Sequence, residues 1–443
     1  MKAFLGTAIH APTRDRLEVL DDSLIVVGDD GLIAGIRSAA DAEPYRAAGT
    51  LTELKAGQYL LPGLVDLHVH APQFPQMGKA LDVPLEVWLQ KYTFPLEAKY
   101  ADLEFARDVY ESLVDTLLAN GTTTTLYFAT IHLPATKLLA DICLKRGQRA
   151  LIGRVAMDHP GECPDYYRDA SPDAAEADTR AFIDYVRGLP GNAAGLILPV
   201  ITPRFIPSCT DETLRRLGAL TAETGCHVQT HCSESDWADG YVLERCGVTD
   251  TKALDGLGFL TRRTILAHGN FIADDDLALI RERGSGIAHC PLSNMYFSDA
   301  VLRLRSVLDA QVHVGLGTDI SGGASPSIFD NARQAVNASR MLENGVDATK
   351  PAGVRGTPDT RIDPVTAFWL ATAGGGEALD LPIGLFKKGY QFDAILVDAH
   401  TPAGNLQVYP DDTHADVLQK IIYNAGRANV AKAWVGGKLV HEL

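Results

Sequence analysis

Between residues 61 and 380 the chain repeats one alternation, and that alternation constrains its fold more than any other feature. Short apolar runs recur at 64–70, 122–129, 149–157, 195–202, 227–232, 264–268, 286–290 and 312–318. The stretches between them carry helical patterns, such as DETLRRLGALTAETG (211–225) and DDDLALIRERG (274–284). Strands alternating with helices predict parallel pairing, because a parallel neighbour needs a crossover long enough to hold a helix. Eight such units in one series predict a (β/α)8 TIM-like barrel. An open, doubly wound parallel sheet is the competing arrangement.

The two ends read differently. Residues 1–60 alternate in short runs, with Asp29-Asp30-Gly31 as a turn between two of them. The far end does the same, with FDAILVDA (392–399) and a Gly436-Gly437 turn. A chain of 443 residues exceeds what one hydrophobic core usually supports. The expected organisation is therefore 1–60 and 381–443 joined in one small β-sandwich domain, with 61–380 as the barrel.

Composition removes several function classes. The formal charge of −16 opposes a nucleic-acid surface, which needs a Lys/Arg patch. No window approaches the ~18 uninterrupted apolar residues of a membrane span. The first twenty residues make a poor signal peptide. Seven cysteines are scattered with no Cys-x-x-Cys, which suits a reducing cytoplasm better than a disulfide framework. The sequon Asn337-Ala338-Ser339 is idle in that compartment.

Polar residues close several of the apolar runs. LPGLVDLHVH ends in His68 and His70, which share one face of an extended strand with Cβ atoms roughly 6–7 Å apart. His231 ends the fifth run, His268 the sixth, and Asp319 lies just past the eighth. In a barrel all these ends open on one mouth, where active sites are found. Taken singly, each has a plain structural reading: a hydrogen-bonded core histidine, or an Asp capping a turn. Together they supply imidazole nitrogens and a carboxylate, a usual ligand set for Zn²⁺ or Fe²⁺. Glu234, three residues after His231 in THCSES, can reach the same point without being a ligand. It is the candidate general acid/base, although a carboxylate there also suits a helix N-terminus.

The order PGLVDLHVH, THCSE, LAHG and GTD resembles the metal-dependent amidohydrolase superfamily, over essentially the whole chain. That resemblance implies a barrel with a flanking β-sandwich. It also implies zinc at the positions matching His68, His70, His231 and Asp319. The position matching His268 then contacts the nucleophilic water or the substrate. Many two-metal members carry a carboxylated lysine at the end of the fourth strand. GLILPVITPRF offers none, so a single metal is expected, with iron or cobalt also suited to the ligands.

Further stretches narrow the resemblance. APQFPQMG (71–78), the WL-x-KYTFP-x-E pattern within 83–100, TPRF (202–205) and HCPLSNMYF (289–297) are similar to the guanine deaminase branch of that superfamily. This implies a purine base held by Gln73 and Arg204, with Phe205 packing nearby, and a homodimer. An Arg fork can donate to purine O6 or N7, and a Gln amide can donate and accept. Trp88, Tyr92 and Phe94 supply either apolar walls or the core packing of a helix. The implied reaction is hydrolysis of guanine to xanthine and ammonia, with Glu234, His268 and Asp319 as catalytic groups. Other aminohydrolase substrates (8-oxoguanine, cytosine, an adenosine derivative, a chloro-triazine) share the metal frame, and a non-catalytic barrel scaffold predicts missing ligands.

Other features receive structural readings. Gly374-Gly375-Gly376 is expected to terminate a helix, since no Lys-Ser/Thr follows to make a phosphate loop. Cys232 and Cys290 are expected to pack in the interior. His289 reads as structural, and His132 and His159 lack a partner pattern.

Overall fold

In the computed structural model, which describes residues 1–443, eight parallel strands follow one another around a barrel. They are Leu64–His70, Thr122–Phe128, Arg149–Ala156, Ile197–Pro203, His227–Cys232, Thr264–His268, Gly286–His289 and His313–Leu316. Each pairs with its neighbour in chain order. A doubly wound sheet would reverse that order part-way, so the sequential path decides between the two arrangements. The first and last strands meet through backbone bonds beyond the last strand's end: Asp319 N–H donates to the His68 carbonyl at 2.8 Å, and His70 N–H to that of Ile320 at 2.9 Å. The first three strands are buried along their whole length, polar residues included, as strands covered on both faces are.

The intervening helices follow their sequence signals. In Asp211–Thr224 the Thr210 hydroxyl accepts from Thr213 N–H at the start, and Gly225 at φ +62° ends the helix. Its Leu214, Leu217 and Leu220 are buried at helical spacing in the core around the barrel.

The termini build a second eight-stranded sheet. Its path runs through Lys438–Glu442, Val430–Val435, Ala394–Asp398, Gln58–Pro62, Lys2–Thr13, Arg16–Val27 and Ile33–Ser38, with Leu51–Glu53 beside Lys2–Thr13. The turn between Val430–Val435 and Lys438–Glu442 uses Gly436 at φ +52° and Gly437 at φ +71°, as a tight two-residue hairpin requires. A buried ion pair fastens this sheet to the barrel. The Arg149 fork meets Asp393 at 2.9 and 3.2 Å, and Gly436 N–H donates to the same carboxylate at 2.8 Å.

One expectation is corrected. Gly374-Gly375-Gly376 does not end a helix: helical structure runs from Pro364 to Ala378, with one wide turn at Leu370–Gly374. The glycines permit close packing instead. A Cβ on Gly375 would lie 2.8 Å from Val65 Cβ, on the first barrel strand. All seven cysteines are free thiols, with Cys232 and Cys290 fully buried. No helix is long and apolar enough to cross a membrane.

Candidate active site

The strand ends bring the expected residues to one point. His68, His70 and Asp319 offer ligand atoms mutually within 4.8 Å; so do His68, His231 and His268, and so do Glu234, His268 and Asp319. His68 Nε2 lies 3.2 Å and His70 Nε2 3.6 Å from Asp319 Oδ1, and His70 Nε2 lies 2.9 Å from His231 Nε2. All six residues are buried. Two of them, His268 at φ +75° and Asp319 at φ +50°, hold left-handed backbone conformations that non-glycine residues seldom adopt. Such strain persists where the surrounding structure fixes it, commonly at functional sites.

Whether this cluster suits a cation can be judged from its unpaired groups. Both ring nitrogens of His68 and Nδ1 of His70 are buried without a hydrogen-bond partner. The Arg204 carbonyl, 2.6 Å from His231 Nδ1, can only accept, so Nδ1 carries the proton and the Nε2 lone pair points into the cluster. Burial, with neighbouring histidines and Arg204 adding to it, holds His68, His70 and His231 well below the usual imidazole range, and so neutral. Neutral imidazoles are the form that ligates metal. Three such rings beside a carboxylate fit a divalent cation.

Supporting groups come from residues the sequence reading quoted but did not single out. Asp66 joins the first strand to the chain beyond the eighth, accepting from Thr318 N–H at 2.9 Å, Thr318 Oγ1 at 2.6 Å and His68 N–H at 3.2 Å. Burial pushes its carboxyl up to about 7 despite these bonds. Asn294, within HCPLSNMYF, sets the His268 ring through a 3.0 Å contact from Oδ1 to Nδ1. The imidazole Nε2 then faces Glu234 Oε1 at 3.5 Å and Asp319 Oδ2 at 4.0 Å. The Glu234 backbone carbonyl is clamped by Asn270 Nδ2 at 2.9 Å and by the Ser298 hydroxyl. Its side chain is raised well above the usual carboxyl range by burial, with the Asp319 charge adding to the effect.

A cavity of about 350 Å³ opens on this cluster. Its polar lining is His70, Gln73, Arg204, His231, Glu234 and Asp319, and Leu85, Trp88, Leu89, Phe205 and Phe297 supply the apolar part. Trp88 lines the cavity and packs on Phe297 with ring centroids 4.9 Å apart. Phe94 instead lies beneath Arg204, its ring centroid 5.1 Å from the guanidinium carbon. His289 is buried and belongs to none of the metal-competent groups. Burial drives it down to about 3.

The amidohydrolase family profile matches residues 59–440. The chain belongs to that family. It is 37% identical to a probable guanine deaminase of Schizosaccharomyces pombe, covering 99% of this chain and 83% of that one. It is 35% identical to the Homo sapiens guanine deaminase, covering 99% and 96%. In three dimensions it is similar to the guanine deaminase of C. acetobutylicum with bound guanine in the active site (TM-score 0.89, 30% identity, covering 99% and 100%). The E. coli guanine deaminase gives a TM-score of 0.88 at 26% identity, covering 100% of both chains.

Proposed function

We propose that this amidohydrolase hydrolyses guanine to xanthine and ammonia with a single zinc ion. The observation that carries the proposal is one cavity lined both by the His/Asp/Glu cluster and by the Gln73 and Arg204 side chains. The full-length likeness to guanine deaminases, one with guanine bound, supports the same reading.

His68, His70, His231 and Asp319 would hold the ion, and iron suits the same donors. When bound, the metal supplies Lewis-acid charge that acidifies water and stabilises negative charge developing on the substrate. The remaining work falls to side chains. Gln73 and Arg204 hold the purine, donating to its acceptor atoms, while Phe205 and Trp88 pack against it. His268 and Asp319 orient the attacking water toward C2 by hydrogen bonding. Glu234 takes a proton from that water and delivers it to ring nitrogen N3. It then passes the remaining proton of the C2 hydroxyl to the C2 amine, so that the C–N bond breaks, the C2 carbonyl forms and ammonia leaves. Burial holds the Glu234 carboxyl above the usual range, which favours its protonated form and suits a group that must carry a proton between atoms.

The reading extends to the rest of the protein. Residues 61–380 form the catalytic unit, and 1–60 with 381–443 the supporting one. The chain works as a homodimer in the cytoplasm, a compartment that suits its seven free thiols. Ammonia release from guanine, 8-oxoguanine, cytosine and adenine tests the substrate. Guanine is expected to lead in kcat/KM by at least about 100-fold, since a hydrogen-bonding site strongly rejects analogues it cannot pair with. A rate on any of the others equal to that on guanine overturns the assignment.

A further inference from the structure

Gln73 and Arg204, the two proposed purine-binding side chains, share a third residue. Glu97 is fully buried and takes part in neither the metal cluster nor the cavity lining. Its Oε1 accepts from Gln73 Nε2 at 2.8 Å and from Arg204 Nη2 at 3.2 Å, and its Oε2 accepts from Arg204 Nη1 at 2.7 Å. Both carboxylate oxygens are thus engaged by the two residues that face the ligand. We propose that Glu97 is a positioning residue for base selection, holding Gln73 and Arg204 as hydrogen-bond donors toward a purine that presents acceptors.

An ionised carboxylate only accepts, and a backbone N–H only donates. Gln73 lies between two such groups, with Glu97 at its Nε2 and Ser321 N–H at its Oε1, 3.2 Å away. Only one orientation of the amide satisfies both neighbours. The NH₂ group lies toward Glu97, and its second hydrogen remains for the ligand. Arg204 is fixed in the same manner. One hydrogen on each Nη goes to Glu97, while Nε–H has no protein acceptor. The pair therefore presents donors, which match O6 and N7 of a 6-oxopurine. A base with an amino group at C6 would bring a donor against these donors.

The same arrangement reaches the metal cluster through the backbone. The Arg204 carbonyl bonds His231 Nδ1, and Ser321, two residues past Asp319, donates to Gln73. A shift in the Glu97 cluster would thus be felt at the ligands as well. For this reason the decisive readout is a ratio between two bases rather than a rate.

Replacing Glu97 by its amide breaks the pattern whichever way the new group turns. With NH₂ at the Oε1 position it opposes both Gln73 Nε2 and Arg204 Nη2. At the Oε2 position it opposes Arg204 Nη1. One donor must therefore move, and the bias toward acceptor-bearing bases weakens.

This inference rests on the proposed guanine site, and one experiment separates the two. Guanine and 2,6-diaminopurine differ at C6, oxo against amino, and both carry the C2 amine that would be hydrolysed. Their kcat/KM values are measured with the zinc-loaded native enzyme, with Glu97→Gln and with Glu97→Asp, alongside zinc content. The native enzyme is expected to favour guanine by at least about 10³-fold. Glu97→Gln is expected to lower that ratio at least about tenfold, chiefly through a higher KM for guanine, with zinc content unchanged. Glu97→Asp keeps the charge but cannot span both partners, and lowers the ratio too. It provides the test if the amide variant does not fold. If a folded variant loses rate on both bases equally and keeps the native ratio, Glu97 is only structural and the inference is overturned. If the native enzyme does not turn over guanine at all, it is the underlying reading that fails.

Discussion

The two polar groups that meet at the cavity, one of histidines and the other around Gln73 and Arg204, solve the problem of buried polarity in opposite ways. On the histidine side, ring nitrogens of His68 and His70 have no protein partner. On the Gln73–Arg204 side, every oxygen of Glu97 is engaged and the one buried cation is matched by one buried anion. Unpaired buried polar groups are costly, so the first side is built to be completed by something outside the chain. The second side is complete before any ligand arrives and offers only its leftover donors. The first arrangement suits an ion that stays, and the second a molecule that must leave after each turnover.

This contrast can be tested by substitution at each group. Replacing His231 by Ala should abolish both activity and bound zinc, read by ammonia release and metal analysis of one preparation. Retained zinc with full activity would place the ion elsewhere. Glu234→Gln should lower kcat by about 10²–10⁴-fold while zinc content stays near native, since the residue moves protons without ligating. A parallel loss of zinc would make it a ligand instead.

Arg204→Met should raise KM for guanine by about 10–100-fold, the worth of hydrogen bonds from a charged group. It also strands Glu97 as a buried charge, which should cost about 3–5 kcal/mol in unfolding experiments. Adding Glu97→Met should restore much of that stability but none of the affinity, because a buried pair can be replaced by apolar groups that pack well. No equivalent rescue is expected on the histidine side, where stability comes from the ion.

The smallest effect serves as a reference far from the cavity. His10, in the terminal sheet, accepts from Phe386 N–H at 3.3 Å and is lowered from 6.5 chiefly by burial. A histidine kept neutral in the folded state favours folding fully above pH 6.5, and that contribution is lost as the pH falls, because the unfolded chain then binds the proton more readily. The loss approaches but does not exceed about 1.4 kcal/mol per pH unit. His10→Gln should flatten the acid limb of the stability–pH curve by that much or less, and a steeper limb would show that His10 is charged when folded.

The contrast also explains what could be read from the sequence. His68, His70, His231 and His268 sit at the ends of barrel strands, and Asp319 lies just beyond one, so a pattern of apolar runs locates all five. Strand geometry then carries them to one mouth regardless of the intervening chain. Glu97 ends the WL-x-KYTFP-x-E pattern, but nothing in that pattern marks what it touches. It lies in KYTFPLEAKY, within short turns of helix between Leu85 and Ala101, and its partners are fixed only once that segment folds over the mouth. Asn294 was hidden likewise, since contact with His268 depends on how Pro291–Phe297 packs after the seventh strand. Gly374–Gly376 misled for a related reason: glycine signals a helix end locally, but here it answers to Val65 across the interface. Periodic elements are written locally, whereas contacts between irregular segments are not.

One ion per chain is expected to support the one reaction. Metal-free enzyme, prepared with a chelator and titrated with zinc, should gain guanine deamination in proportion to bound metal and saturate at one zinc per chain. Full activity without metal, or saturation only at two per chain, would contradict it.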